Sequence, residues 1–302
     1  MRADESIENQ SHIKKPGFLG KLLHDVTRLA PDKMEISAPT LTPEEILQTL
    51  FGLKNRINGK AFEEFEPAIQ QKFIDDAESL GIKILPSIDD SAYLNLTGSV
   101  IVLNNTGKNV RLNITNGYLV VLGDIEYGAM IDVRGDSGAR HTGKSPPPTS
   151  LKGITVVGHV GNHVRLTATH NIIIQDTGDY VQLRSGDIIK SGNIGRGANL
   201  MARHSIECGN IGDDLRSTHF ATQFSAQNIG ARSIIKAGSI TVKDIGSGSE
   251  LIATHNIEAD HVDDNCILTA RSLLMKSAAP TCQMNAGLMT NEIAADSAKK
   301  II

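Results

Sequence analysis

Tryptophan is absent from the 302-residue chain, aromatic residues make up only 4% of it, and there are only three cysteines. Scarce aromatic residues argue against a ligand pocket or sugar-binding platform built by ring stacking. The odd number of cysteines and the lack of an N-terminal apolar signal segment favour a reducing compartment. We therefore expect a cytoplasmic protein, with non-classical export as the alternative.

Charge and hydropathy argue against two further classes of protein. The net charge is −4 and the isoelectric point is near 6.2, so no basic surface dominates the composition. Nucleic acid is therefore not the expected partner, because phosphate binding requires clustered Lys and Arg. No stretch approaches the roughly 18 apolar residues that a transmembrane helix requires, so no transmembrane segment is expected.

Glycine, in contrast, is abundant: its 28 residues indicate many tight turns, and the chain carries a repeat. Segments of about 17 residues place the same residue class in the same column when they are aligned from Gly153, His170, Gly186, His204, Ala221, Gly238, His255 and Ser272. One apolar column holds Ile172, Ile189, Ile206, Ile240, Ile257 and Leu274. Apolar residues also alternate within a segment, which predicts short strands that each bury one face.

Strands this short bury an apolar face only if successive segments stack, about 4.8 Å apart, into one continuous core. The sequence from Gly81 to Gly287 therefore predicts an all-β solenoid, a parallel β-helix of about 11 rungs of about 17 residues. A left-handed hexapeptide solenoid would need turns of about 18 residues made of three equal hexads. The shorter step favours the right-handed form.

The segments outside the repeat are predicted to be helical or irregular. Thr42-Pro43-Glu44-Glu45 is a helix-capping box, and an apolar stripe from Ile69 to Leu80 ends at Gly81. Residues 41–80 are therefore expected to form a small α-helical unit that covers the open N-terminal end of the solenoid. The remaining segments are a largely disordered or loosely docked region at 1–40, the solenoid at 81–290 with a protruding loop at 135–152, and a C-terminal tail or short helix at 291–302.

The stretch GDIIKSGNIGRGANLMARHSIECGNIG, from Gly186 to Gly212, resembles the repeat of polymer-forming right-handed β-helix proteins. These are the bactofilins and the related flagellar-assembly family, whose repeat reads G-D-I-x-x-x-G-x-V-G, and the resemblance spans roughly residues 98–287. It implies a bacterial protein of the kind that assembles end to end, through uncapped solenoid ends, into a cytoskeletal scaffold. The additional rungs, the helical N-terminal unit and the insertion at 135–152 depart from that family.

One column of charged residues suggests glycoside hydrolysis. Asp179, Arg196 and Asp213 occupy equivalent positions of three successive rungs, so the two carboxylates would lie roughly 9–10 Å apart, near the separation found in inverting glycosidases. Asp179 and Asp213 are therefore the candidate catalytic residues. The alternative is a solvated Asp–Arg–Asp ladder, because Arg196 would lower both carboxylate pKa values rather than raise one.

Histidines recur at one position of the repeat. His170, His204 and His255 open three rungs at a position that glycine fills in others. His170, Asp187 and His204 are a candidate metal site, a two-histidine, one-carboxylate set on successive rungs. The alternative is that the shared Gly/His position is a left-handed backbone corner, where histidine is tolerated.

Residues 138–145 match the phosphate-binding pattern G-x-x-x-x-G-K-S. That site requires a helix after its Lys-Ser end, and the three prolines at 146–148 favour an extended segment instead. No cofactor is therefore expected. The loop remains a candidate contact with a partner, through Arg140, His141 and Lys144.

The first 40 residues hold one amphipathic helix candidate, residues 17–30, whose apolar face includes Phe18, Leu22 and Leu23. It would dock on its own fold, bind a protein partner or contact a membrane surface. Because no acid, base and nucleophile converge in the repeat, the leading function is a non-enzymatic β-helical scaffold or partner-binding protein. The alternatives are a polymer-forming cytoskeletal protein that assembles end to end and a carbohydrate-active β-helix enzyme.

Overall fold

The structure is a computed structural model that describes residues 67–79, 81–135 and 153–291. Predictions on other parts of the chain lie outside the described residues: the segment 1–40 with Phe18, Leu22 and Leu23, the capping box at 42–45, the insertion with Arg140, His141 and Lys144, and the tail at 292–302. Within the described residues the chain forms one helix, α1 (Pro67–Ser79), and 19 strands. The strands are β1 (Ile82–Leu85), β2 (Tyr93–Thr97), β3 (Ser99–Val102), β4 (Arg111–Thr115), β5 (Leu119–Val121), β6 (Met130–Arg134), β7 (Gly153–Val156), β8 (Arg165–Ala168), β9 (Asn171–Ile173), β10 (Gln182–Ser185), β11 (Ile188–Lys190), β12 (Asn199–Ala202), β13 (Ser205–Glu207), β14 (Arg216–Ile229), β15 (Ile234–Ile245), β16 (Glu250–Ala253), β17 (Asn256–Val262), β18 (Ile267–Ala278) and β19 (Gln283–Asn291).

The strands pair in parallel with the strands one turn before and one turn after them. The turns have three faces, which we name A, C and B in the order in which the chain passes through them. In the early turns face A consists of β1, β3, β5, β7, β9, β11 and β13, and face B of β2, β4, β6, β8, β10 and β12. Face C has a single β-bridge residue in each of these turns. From β14 onward most strands are longer and continue from one face onto the next. The predicted parallel β-solenoid is confirmed, with about 11 turns that are about 17 residues apart.

The core is a continuous stack of aliphatic side chains, as the alternating pattern predicts. Ile189 pairs with Ile172 of the preceding turn, and both side chains are fully buried. Fully burying one such side chain contributes about 1.5–3 kcal/mol, and every turn repeats the contribution. The predicted column is wrong only in its last member, because Ile257 pairs with Leu273 and not with Leu274 after a turn that is one residue shorter.

A left-handed backbone residue occurs in ten successive turns where face C passes into face B. The residues with positive φ at this corner are Ser91, Asn109, Gly128, His163, Tyr180, Gly197, Asp214, Arg232, Gly248 and Asn265. The left-handed corner inferred for His170, His204 and His255 is therefore wrong, since none of these three has a positive φ. The register also separates Gly186 from the histidines, because Asp187 and not Gly186 lies opposite His204, and Gly238 is the glycine that lies opposite His255.

A glycine column lies just before the left-handed corner and consists of Gly161, Gly178, Gly195, Gly212, Gly230 and Gly246. None of these residues has a positive φ. At Gly195, Gly212, Gly230 and Gly246 the backbone of the preceding turn passes so close that an added Cβ would collide with it. A Cβ on Gly246 would lie 2.7 Å from both the amide nitrogen of Ala231 and the carbonyl carbon of Gly230.

Helix α1 contributes to an apolar layer on the outer side of face A. Ile101 and Val120 alternate with inward-facing residues of β3 and β5, so their side chains point outward, yet both are fully buried. They belong to a second apolar cluster that includes Ala77 of α1. Apolar residues on both sides of these strands require a second layer, and α1 contributes to it. The rest of the predicted helical unit lies outside the described residues.

Candidate functional site

Any chemistry of the described residues must lie on the outside of the solenoid. Their buried polar side chains are those of threonine, serine and asparagine, and none carries a charge: Thr106, Asn171, Thr177, Ser185, Ser217, Ser233 and Ser249. The outward-facing side chains stack in columns one turn apart, so each candidate site is a ladder rather than a pocket. Four such features carry chemically active groups.

The candidate catalytic pair lies at the left-handed corner, in the predicted column. Arg196 stands on the turn between Asp179 and Asp213, and its Nε donates to Oδ2 of Asp179 over 2.9 Å. Oδ1 of Asp179 accepts the backbone N–H of Arg196 at 3.0 Å, and Oδ1 of Asp213 accepts that of Ala231 at 2.9 Å. Each carboxylate therefore holds the backbone of the next turn in place.

The electrostatics of this corner favour ion pairs rather than acid catalysis. Arg232 donates to Asp214 over 2.8 and 3.0 Å and reaches Oδ2 of Asp213 at 3.4 Å. Its hydrogen bond lowers the pKa of Asp214, and the hydrogen bond with Asp179 raises the pKa of Arg196. A general acid needs a raised carboxyl pKa, so Asp214 does not suit that role. The geometry therefore fits the Asp–Arg–Asp ladder that the sequence offered as the alternative.

Aromatic side chains continue the same corner toward the N-terminus. The rings of Tyr127 and His163 meet edge to face at 5.3 Å, and those of His163 and Tyr180 stack at 5.0 Å. The guanidinium of Arg196 lies 5.6 Å from the ring centre of Tyr180. Tyr127 and Tyr180 remain 49% and 44% exposed, so this aromatic ladder presents ring surface to solvent.

The candidate metal set is only partly brought together. Nδ1 of His204 lies 2.6 Å from Oδ1 of Asp187, one turn away. His170 lies instead beside Gly135, whose added Cβ would be 2.7 Å from its Cδ2 atom. Within residues 67–79, 81–135 and 153–291 no three His, Cys, Asp or Glu side chains converge on a position where they could hold a metal ion. Asp187 and His204 therefore form a surface pair.

A polar groove of about 840 Å³ runs along face A over the turns that contain β11, β13 and β14. Lys190 and Glu207 form an ion pair of 2.8 Å in it, and Cys208 lines it while packing against the core. Burial raises the pKa of Cys208 to about 12. The thiol is therefore protonated near neutral pH and is not an activated nucleophile.

The outward side of face B carries arginine, which the sequence analysis missed. Register places Tyr93, Arg111, Met130, Arg165 and Gln182 in one column, one residue per turn, which we call the arginine column. Part of it lines a shallow depression of about 440 Å³. The net charge of −4 gives no sign of a local column of arginines, but aligning the outward-facing positions of the repeat would have revealed it.

Comparison with known proteins gives no match, whether to a family model, to a curated protein or to a solved structure. What the structure shows is a parallel β-solenoid of about 11 turns, and no match supports the bactofilin type or any other specific family. Among the described residues there is no helix long and apolar enough to cross a membrane.

Proposed function

We propose that this protein is a non-enzymatic β-helical scaffold that binds a protein partner on its outer faces. One observation carries the proposal: Tyr93, Tyr127 and Tyr180, three of the four tyrosines of the chain, are exposed on the outside of the solenoid. Exposed tyrosine is enriched at protein interfaces, where it contributes large contact area and a hydroxyl for hydrogen bonding. A side chain needed only for folding would have been placed in the core.

The outer charges support binding rather than catalysis. Asp179, Asp213 and Asp214 hold arginines or backbone N–H groups of the next turn, so their carboxylates are committed to the solenoid. Cys208 is held protonated by burial. The candidate contacts at residues 17–30 and 135–152, and membrane-surface contact through the former, remain part of the proposal.

Site-specific photo-crosslinking tests this function. A photoreactive phenylalanine analogue replaces Tyr93, Tyr127 or Tyr180 in turn, and Glu258, which is exposed on another face, serves as the control position. In cells that make the protein natively, we expect one discrete adduct from at least one tyrosine position and none from Glu258. Identical or absent adducts at all four positions would refute the proposal.

A second candidate is a polymer that assembles end to end. Among the described residues, β1 pairs only with β3 and β19 only with β18, so one edge of each terminal strand is not paired by a described residue. An unpaired parallel edge is a template for strand addition. Negative-stain electron microscopy at micromolar concentration tests this candidate: filaments one solenoid wide support it, and discrete particles refute it.

A further inference from the structure

We propose that the arginine column binds an acidic, proline-rich protein segment in polyproline II conformation that runs along the solenoid axis. The inference rests on the proposed role as a partner-binding scaffold and adds the chemistry of the partner. It starts from the charges of face B. The six strands β2, β4, β6, β8, β10 and β12 contain Arg111, Arg134, Arg165 and Arg184, and Asp132 is their one acidic residue.

Three of these arginines form no ion pair with any acidic side chain that the structure describes. Asp132 forms an ion pair with Arg134, whose Nε and Nη2 donate to it over 3.1 and 2.9 Å. Nε of Arg165 donates to the neutral amide of Gln182 over 2.9 Å. Within the described ranges no acidic side chain forms an ion pair with Arg111 or Arg184.

The left-handed corner shows that the same chain neutralises its arginines elsewhere. Arg196 and Arg232 each have an aspartate partner on the preceding turn. Within the described residues, Arg111, Arg165 and Arg184 of face B lack such a partner, although the whole chain is acidic, with a net charge of −4. An acidic ligand would supply the missing charge, and arginine is well suited to bind carboxylates in bidentate geometry.

Spacing identifies the conformation of that ligand. Arg111 and Arg165 are two turns apart in the column, with Met130 between them, and thus about 9.6 Å apart along the axis. A polyproline II helix has three residues per turn and rises about 3.1 Å per residue, so residues i and i+3 lie on one face about 9.3 Å apart. Two glutamates three residues apart would therefore reach both arginines.

The apolar members of the column fit the other residues of the segment: Met130 would face those between the two glutamates, and Tyr93, one turn before Arg111, would face those that precede them. Tyr93 is 63% exposed and Met130 is 43% exposed, and both line the depression on face B. Exposed aromatic side chains bind the proline rings of polyproline II segments in several recognition domains. Nucleic acid fits less well, because Met130 interrupts the positive charges and the carboxylate of Asp132 lines the same depression.

Fluorescence anisotropy with the full-length protein tests the inference. The probe is a fluorescein-labelled peptide of repeated Glu-Pro-Pro units, which places a glutamate at every third position. We expect binding that weakens with added salt. The double variant Arg111→Glu/Arg165→Glu should lower the affinity by about tenfold or more, because each reversal replaces an attraction with a repulsion. Arg271→Glu, an exposed change on a distant turn, should alter it less than about twofold.

Two comparisons make the result decisive. A peptide of the same composition with its glutamates contiguous should bind more weakly, because only one carboxylate at a time would face an arginine. The inference is overturned if the Glu-Pro-Pro peptide does not bind, if the double variant binds it like the parent, or if a poly-thymidine oligonucleotide binds more tightly to the same column.

Failure of this inference and failure of the proposed function are distinguishable. The variants change exposed side chains, and far-UV circular dichroism with thermal unfolding confirms that they fold. Crosslinks from Tyr127 or Tyr180 without peptide binding would reject only the acidic ligand. Absence of crosslinks from all three tyrosines would reject the partner-binding role itself.

Discussion

Gly246→Ala adds one methyl group to the glycine column, at a position where the backbone conformation itself would accept alanine. The added Cβ would lie 2.7 Å from the amide nitrogen of Ala231 and 3.0 Å from the carbonyl oxygen of Ile229, whereas ordinary contacts begin at 3.4 Å. All the crowded atoms are backbone atoms of the preceding turn, so no side chain can rotate away. The two turns must separate locally by about 0.7 Å.

That separation acts on two hydrogen bonds that join the same turns. The N–H of Gly246 donates to the carbonyl of Ile229 over 2.8 Å, and the N–H of Arg232 donates to that of Ser247 over 2.9 Å. Stretching both past about 3.5 Å removes them, at about 1 kcal/mol each. Alanine also restricts the unfolded chain, which offsets roughly 0.4–1 kcal/mol. The two hydrogen bonds alone therefore give a net loss of about 1–1.6 kcal/mol, and any contact repulsion that the separation does not relieve adds to it, within the general range of about 1–3 kcal/mol for overpacking.

Gly248→Ala is the matched control, two residues away in the same corner. Gly248 has φ +70°, and the nearest atom to an added Cβ is Cγ of Arg232 at 3.9 Å. Its cost is therefore conformational only, about 1–2 kcal/mol for a left-handed residue, and the same unfolded-state offset reduces it to between about 0 and 1.6 kcal/mol, with no contact repulsion to add. The residue with the ordinary φ should thus be the more sensitive one.

Urea unfolding of the parent and both variants, followed by circular dichroism, measures the difference. A repeat protein need not unfold in two states, so midpoints at equal slope are the quantity to compare. Gly246→Ala should have the lower midpoint. Equal midpoints, or a lower midpoint for Gly248→Ala, would show that close approach of the turns is not what requires the glycine column.

Phe224→Ala, at the largest fully buried side chain, should lower the free energy of unfolding by about 3–5 kcal/mol, and Ile267→Ala, which is partly exposed, by far less in the same urea assay. Arg232 lowers the pKa of Asp214 in the folded state, so Asp214→Asn should destabilise the protein at pH 7. The difference in unfolding free energy between variant and parent should shrink as the pH falls below about 4, which denaturation curves at several pH values would measure. The pKa of Cys208 is raised to about 12, so its alkylation by iodoacetamide at pH 8 should be about a thousandfold slower in the folded than in the unfolded protein. Peptide mass spectrometry measures both rates, and equal rates would contradict the burial of the thiol.

The solenoid could be predicted from the sequence because its cause is periodic. Every turn must bury the same inward positions, so Ile172 and Ile189 recur about 17 residues apart and pair as expected. The prediction failed at Leu274 because one shorter turn shifts the register by a single residue without changing the residue class. Apolar periodicity therefore gives the fold, but it is insensitive to one-residue slips where two leucines are adjacent.

The left-handed corner could not be predicted because stacking overrides local preference there. Tyr180 and Arg232 have positive φ, which costs such residues roughly 1–2 kcal/mol each. The turns above and below impose the conformation, and the burial of each inward side chain exceeds that cost. The covering of face A by α1 was missed for a related reason, since outward residues such as Ile101 and Val120 carry no signal of what covers them.

In a parallel stack, each charged side chain interacts mainly with side chains on the neighbouring turns. The net charge of the whole chain does not report this arrangement, so it gave no sign of the arginine column. Like charges on adjacent turns, about 4.8 Å apart, repel by about 0.9 kcal/mol even in water, and at twice that distance by about 0.4 kcal/mol before screening by salt. The left-handed corner avoids the repulsion by placing Arg196 next to Asp179. Face B avoids it by placing Met130 between Arg111 and Arg165. Both arrangements reduce repulsion in the stack, but only the second leaves Arg111 and Arg165 without an ion pair to a described carboxylate and therefore able to bind one from another chain.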